Sequence, residues 1–408
     1  MGRRLSICYI VPGHNLLATA GPTRHVLSLA GALGELAETT VAFRRVLEPV
    51  AGGNFSILEI EPGACRTKTA VDDAAVRGVG YREFAQYLVA LRRFCDQRLT
   101  GFDIVLEKSW LLSGLVTAWC LDRGIPSLPV LNVVPVAGAW SAPTKAARNL
   151  VGRYISGRYL RRAPRIIAES PSLKTAIAGL WGIRPERIEV LGLGIDRAVF
   201  RPMDQTAARR ELGIPPDETV LLYVGALDRA HDITAVIEGV IRVGDPSIRL
   251  RVVGDGEFRP QLEARAGGSG AVTFHGRVPH GSVPGYIAAA DLCLAPYDPR
   301  HFPGGQVGYA TLKVREYLAA GRAVATAPSG LLPDLIRQGE SGFRLENTPD
   351  AWAHFLENEL PSRARLLEMG QAAARIPLPT WEDTAAAYLA LCERACRRGN
   401  AVQAPRRR

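Results

Sequence analysis

The residues with the clearest chemical capacity lie in one stretch, FPGGQVGYATLKVREYLAAGRAVATAPSG, from Phe302 to Gly330. A glycine-rich run ends near Thr311, and the spacing behind it predicts a helix over Lys313–Ala320. Gly321 stops that helix, and Ala323–Thr326 reads as a strand. A helix start offers free N–H groups and positive partial charge, which suit a diphosphate. Lys313 and Glu316 stand three residues apart and share a face. The lysine can meet phosphate, and the carboxylate can accept hydrogen bonds from ribose hydroxyls. The competing reading is a surface Lys–Glu pair worth about 0.3–0.5 kcal/mol.

Three other segments have related capacity. In VPGHNLLATAGPTRHVLSLAGAL, Gly21-Pro22 precedes a helix with apolar positions at Val26, Leu27, Leu29 and Ala30. Its start could also hold a phosphate, or be a plain strand–loop–helix connection. In VLLYVGALDRAHDITAVIEGV, Gly225 ends an apolar run and Arg229 and His231 follow. They are placed as cations facing a diphosphate, or as a solvated arginine and a histidine at a helix start. Gly254-Asp255-Gly256 is expected to be a tight turn.

Something must position these loops. In the first half, strands are expected at Leu5–Val11, Thr39–Phe43, Ser56–Ile60, Asp103–Leu106, Pro129–Val134, Ile166–Ala168 and Ile188–Leu191. Helical periods fall between them at Thr23–Leu36, Tyr81–Leu99, Leu111–Arg123 and Ser172–Leu180. The alternation restarts with strands at Thr219–Val224, Ile248–Val253, Val272–His275, Leu292–Ala295, Ala323–Thr326 and Phe343–Leu345. Helices are expected at Ala235–Val243, Lys313–Ala320 and Leu331–Gln338. Apolar strands alternating with helices indicate parallel sheets covered on both faces. The expected fold is therefore α/β, with two tandem Rossmann-like doubly wound domains and the site in the cleft between them, outside the strands' carboxyl ends. The domains are expected at 1–200 and 201–379. A helix at 380–398 returns to the first domain, and 399–408 forms a basic tail.

Composition agrees with a globular chain: 408 residues, 47% hydrophobic and 22% charged. No secretory signal or membrane span is expected, which places the protein in the cytoplasm, or peripherally at the inner face of the membrane. The 7 cysteines form no Cys-x-x-Cys pair, so neither zinc nor a disulfide framework is expected, and no metal is assigned. Cys8 and Cys293 read as core residues. The net charge of +10 is concentrated in part between Ser141 and Arg165, which holds seven basic residues and no acid. A helical pattern there places Leu150, Val151, Tyr154, Ile155 and Tyr159 on one face. That face is expected to pack on the first domain with the arginines solvated. The alternative is contact with an anionic membrane surface or acceptor. Without aromatic–basic interleaving or a recognisable module, nucleic acid is not an expected partner.

The order of these segments resembles glycosyltransferase family 4, of the GT-B fold, over about Leu5 to Arg397. Its opening GGxxRHV is similar to Gly21–Val26. Its interdomain stretch resembles AESPSLK…VLGLGIDRAVFRP, ending at Pro202. Its middle signature resembles Val253–Gly256 and Val272–Val278, and its LKllEYmAaGkPVVat helix resembles LKVREYLAAGRAVAT. The resemblance implies retaining transfer of a sugar from a UDP- or GDP-linked donor to a sugar, a lipid-linked or a small-molecule acceptor. It needs no cofactor beyond that nucleotide-sugar co-substrate.

The resemblance assigns Glu316 to the ribose, Arg277 to the base, and Thr311, Leu312 and Lys313 to the diphosphate. Gly21, Pro22 and Gly225 complete the donor set, with His14 and Asn15 on the acceptor side. The sequence departs from the family at several positions. The first glutamate of the Glu–seven residues–Glu motif falls at Gly308, and the clamp arginine and lysine at Ala226 and His231. The histidine ending the fourth strand falls near Lys108. Lys108, Arg229, His231 and Lys313 are accordingly the expected catalytic charges. A GT-B epimerase or a catalytically degenerate binder are the rivals.

Overall fold

The computed structural model describes residues 3–17, 21–48, 50, 53–61, 81–134, 143–228, 231–298, 311–330 and 332–403. The chain forms two units, Met1–Gly194 with Pro379–Arg408, and Ile195–Leu378. The first boundary falls before Pro202 because Ile195 and Phe200 are buried in the core of the second unit.

In the first unit the elements are β1 (Ser6–Val11), α1 (Gly21–Leu36), β2 (Glu38–Phe43), β3 (Phe55–Glu59), α2 (Tyr81–Arg98), β4 (Ile104–Lys108), α3 (Leu115–Asp122), β5 (Ser127–Leu131), α4 (Pro143–Leu160), β6 (Ile166–Ala168), α5 (Pro171–Trp181) and β7 (Ile188–Val190). Among the described residues they build a parallel seven-stranded sheet, ordered β3-β2-β1-β4-β5-β6-β7. Residues Ile7–Val11 and all of β4 and β5 are buried, as sheets covered by helices on both faces require.

The second unit holds α6 (Gln205–Glu211), β8 (Thr219–Val224), α7 (Thr234–Val243), β9 (Ile248–Val253), α8 (Arg259–Ala266), β10 (Val272–Gly276), α9 (Val283–Ala289), β11 (Leu292–Ala295), α10 (Leu312–Ala319), β12 (Ala323–Thr326), α11 (Leu332–Leu335), β13 (Gly342–Arg344), α12 (Pro349–His354) and α13 (Arg363–Ala374). Its six strands run parallel in the order β10-β9-β8-β11-β12-β13, again among the described residues. The two sheets are the expected doubly wound pair. Strand order reverses between β1 and β4 in one and between β8 and β11 in the other, and a crevice opens at such a switch point.

The last helix, α14 (Trp381–Gln403), belongs to the first unit and packs along α1. It runs past 398, so the first part of the expected tail is helical. Gly194 lies against it: a Cβ there would come within 2.6 Å of the Trp381 backbone.

Three local expectations change. Helix α11 ends at Leu335, well short of Gln338. The polar stretch after Pro202 contains α6, capped by Asp204, whose carboxylate accepts from Ala207 N at 2.9 Å. In α4, Leu150, Val151 and Tyr154 do not pack inward. The buried face is built from small residues. Gly152 sits on Leu111, where a Cβ would come within 2.6 Å of Cδ1. Gly157 sits on the Trp181 ring, where a Cβ would come within 2.5 Å. Close backbone approach at these glycines turns the large side chains out. No helix among the described residues is long and apolar enough to cross a membrane.

Candidate active site

The second unit gathers chemistry at the switch point between β8 and β11. Tyr317 on α10 holds that helix against β8, its hydroxyl accepting from Val224 N at 2.9 Å. Thr311 caps the helix, its side chain accepting from Val314 N at 3.3 Å. The N–H groups of Leu312 and Lys313 then lie in the first turn, which has no intrahelical acceptor for them.

Lys313 reaches from that turn towards the tip of β8. Its Nζ donates to the Tyr223 hydroxyl at 3.1 Å, which in turn donates to Ala226 O at 2.6 Å. The same ammonium is 4.3 Å from the Tyr223 ring centroid and 5.5 Å from that of Tyr297. A Cβ on Gly225 would come within 2.5 Å of Nζ, so glycine at the end of β8 leaves the lysine its place. Burial pulls the Lys313 ammonium down to about 7, while Asp228 and Glu316 pull the other way.

His231 adds a neutral ring to this group. Its Nδ1 is 2.8 Å from Asp228 Oδ1, and its ring centroid is 5.5 Å from that of Tyr297. Burial and the neighbouring Lys313 hold it below its ordinary range. The expected cation is therefore a neutral hydrogen-bonding ring at pH 7. Glu316, one turn after Lys313, is half-buried.

Gly254 is more than a tight turn. Its φ is 140°, and a Cβ on it would collide with Gly225 O. Glycine here lets the tips of β8 and β9 close on each other. Arg277 follows β10 at the sheet edge and is exposed, away from the switch point. Arg229 and Gly308 lie outside the described residues.

The first unit has its own polar cluster at the ends of β1, β4 and β6. Lys108, the last residue of β4, is fully buried. Its Nζ touches His25 Nε2 on α1, and that same nitrogen is 3.7 Å from Glu169 Oε1, just beyond β6. Burial brings the Lys108 amine down to about 8 against the pull of Glu169. Lys108 thus has no open surface, and its amine is in contact with His25. Gly21 and Pro22 open α1, and Thr23 donates to Leu17 O. His14 is half-buried and Asn15 buried in the loop after β1, where His14 O accepts from Arg44 N at 3.1 Å. Glu107 faces the other way. Its carboxylate accepts from Trp110 Nε1 at 2.8 Å, Gly114 N at 2.9 Å and Thr117 N at 2.7 Å. It caps α3.

Sequence reasoning missed Tyr223, Asp228, Tyr297, His25 and Glu169 as site residues. Tyr223, Asp228, Tyr297 and Glu169 sit at or just past strand ends and His25 lies early in α1, but nothing local marks which of them converge.

Two family models cover most of the chain: "Glycosyltransferase Family 4" over residues 19–199 and "Glycosyl transferases group 1" over 218–360. A D-inositol 3-phosphate glycosyltransferase of Streptosporangium roseum is 31% identical over 308 residues, spanning 70% of this chain and 68% of the relative. The chain belongs to glycosyltransferase family 4. It is a transferase that uses a nucleotide sugar. Its fold is GT-B. Sucrose-phosphate synthase from Thermosynechococcus elongatus superposes with a TM-score of 0.77 at 20% identity, covering 96% of this glycosyltransferase and 99% of that chain. Anabaena HepE, solved with UDP and glucose, superposes with a TM-score of 0.71 at 16% identity, covering 95% and 99%.

Proposed function

We propose that this glycosyltransferase moves a hexose, with retention, from a UDP-sugar to a hydroxyl of a phosphorylated small polyol. The observation that carries the donor assignment is Lys313 beside Gly225 at the β8–β11 switch point, with the start of α10 and Glu316 next to it. The diphosphate lies against the first turn of α10 and Lys313, and Glu316 takes the ribose hydroxyls. Lys313 arrives partly neutral and gains full charge beside the anion. It stabilises the leaving diphosphate as negative charge develops there. The neutral His231 ring gives its one N–H to Asp228 and packs beside this site without donating to the diphosphate. The acceptor hydroxyl approaches on the leaving group's side and passes its proton to the departing phosphate oxygen, so the protein's task is positioning and charge stabilisation. The choice of uracil and of a phosphorylated polyol is supported by the UDP bound in HepE and by the printed activity of the inositol-phosphate relative.

The test is Glu316→Ala, assayed for nucleotide binding and for release of UDP from UDP-sugars or GDP from GDP-sugars, with and without inositol phosphates. Loss of a charged hydrogen bond to ribose costs about 1.5–3 kcal/mol, or about 10- to 150-fold in donor affinity. Unchanged donor affinity in a folded Glu316→Ala protein overturns the assignment. Wild-type turnover of GDP-sugars alone overturns the choice of uracil.

A further inference from the structure

Helix α4 is built inside out. Its buried side is Gly152, Ser156, Gly157 and Leu160, with Ser156 Oγ donating to Leu111 O at 3.2 Å and Trp181 Nε1 donating to Arg153 O at 3.0 Å. Its outer side carries Leu150, Val151 and Tyr154, which are 59%, 57% and 74% exposed. At 3.6 residues per turn these three and Arg158 fall within an arc of about 100°. Folding the first unit gains nothing from apolar side chains placed there, and an exposed apolar cluster of this kind marks an interaction surface.

The charge around it is of one sign. From Ser141 to Ala168 the sequence has no Asp or Glu. Arg158 is exposed on the same arc. At the C-terminal end of α4, Arg187 donates to Arg161 O at 2.9 Å. Arg165, Arg184 and Arg187 line a shallow recess of about 550 Å³ there, with Pro164 and one carboxylate, Glu186. Arg162 is already paired with Asp122, and Arg165 with Glu189 at 3.3 Å. The uncommitted positive charge is centred on Arg158 and on the Arg184–Arg187 rim. An exposed apolar cluster with an arginine on the same arc and further arginines beyond the end of the helix combines apolar area with positive charge, the two terms that bind a surface to anionic lipid.

We propose that the outer face of α4 rests on an anionic phospholipid surface, with Leu150, Val151 and Tyr154 entering the interfacial layer and Arg158 and the Arg184–Arg187 rim meeting lipid phosphate. This surface belongs to the first unit and is independent of the donor cluster at β8.

The experiment is co-sedimentation of the full chain with vesicles of phosphatidylglycerol and phosphatidylcholine, against phosphatidylcholine alone, at low and high salt. The expected result is binding to the anionic vesicles that weakens with salt. Leu150→Ser/Val151→Ser/Tyr154→Ser is expected to lower the partition coefficient about tenfold or more, and Arg158→Glu/Arg184→Glu to remove the preference for anionic lipid. All of these side chains are on the surface, and matching thermal melts check that the variants fold. Equal binding to both vesicle types, or a triple-serine protein that sediments like the wild type, overturns the proposal. So does sedimentation equilibrium showing a lipid-free dimer that the triple-serine variant loses, because a second copy would then cover this face.

Discussion

Lys313 Nζ lies 3.1 Å from the Tyr223 hydroxyl and 4.3 Å from the centre of the same ring. One tyrosine therefore offers the amine both an acceptor and a π face, in a setting where burial has brought it down to about 7. The charged form is present below that point and is lost as pH rises through it. A bound diphosphate reverses the balance by favouring the ammonium.

Donor binding is thereby linked to proton uptake. At pH 8 close to one proton should be taken up per nucleotide bound, and at pH 6 almost none. Donor affinity should fall by up to about tenfold per pH unit above 7. Calorimetry of UDP binding in buffers of different ionisation enthalpy reads the proton directly. Lys313→Arg, which stays charged, should abolish the uptake. Uptake that persists unchanged in Lys313→Arg would place the titrating group elsewhere.

Glu169 should set where Lys108 titrates. With the amine at about 8 and Glu169 pulling it up, Glu169→Gln should move its titration downward by about one unit or more. Nitrogen-15 lysine resonances, assigned by their absence in Lys108→Gln, give the titration curve. Stability carries the same signature. Folded Lys108 releases its proton near 8, but an unfolded lysine keeps it to about 10.4. Stability from this residue should therefore rise between those values, where the unfolded chain binds more protons.

Glu107→Gln should destabilise the first unit. The carboxylate accepts three hydrogen bonds while fully buried, and glutamine must turn an NH₂ towards either the Thr117 or the Gly114 N–H. A buried donor facing a donor costs about 2–3 kcal/mol, which lowers Tm by about 5–10 °C for a unit of this size. A melt within 2 °C of wild type, on the order of 1 kcal/mol or less, would show that α3 is held otherwise.

The strands were legible because parallel strands covered on both faces are written as unbroken apolar runs, and their ends are marked by Gly, Pro and charge. Ile166–Ala168 and Leu292–Ala295 fall where their sequences place them. Helix faces were harder. In α4 the contact is made by what the side chains lack, and hydropathy gives glycine no credit for close approach. Convergence was harder still. His25 and Lys108 are 83 residues apart, and only the order β1-β4 in the sheet brings the helix after one strand to the tip of the other. The Lys313–Glu316 pair could be found because three residues on a helix is a local relation. Tyr223 and Asp228 needed the sheet.

The chain leaves the first unit at Gly194 and re-enters it at Pro379, with Gly194 seated on the Trp381 backbone. To the first unit, everything from Ile195 to Leu378 is an insertion. Ile195 and Leu378 are buried in one apolar cluster of the second unit, so folding the insertion gathers its own two ends. An unstructured insertion of that length would charge the docking of α14 on α1 about 4–5 kcal/mol in loop-closure entropy, and a folded one removes most of that cost. Assembly therefore has a direction: the later-made unit shortens the path that lets the earlier one close. Damage to the core around Ile195 should consequently slow the acquisition of structure at α1, in a unit to which Ile195 does not belong.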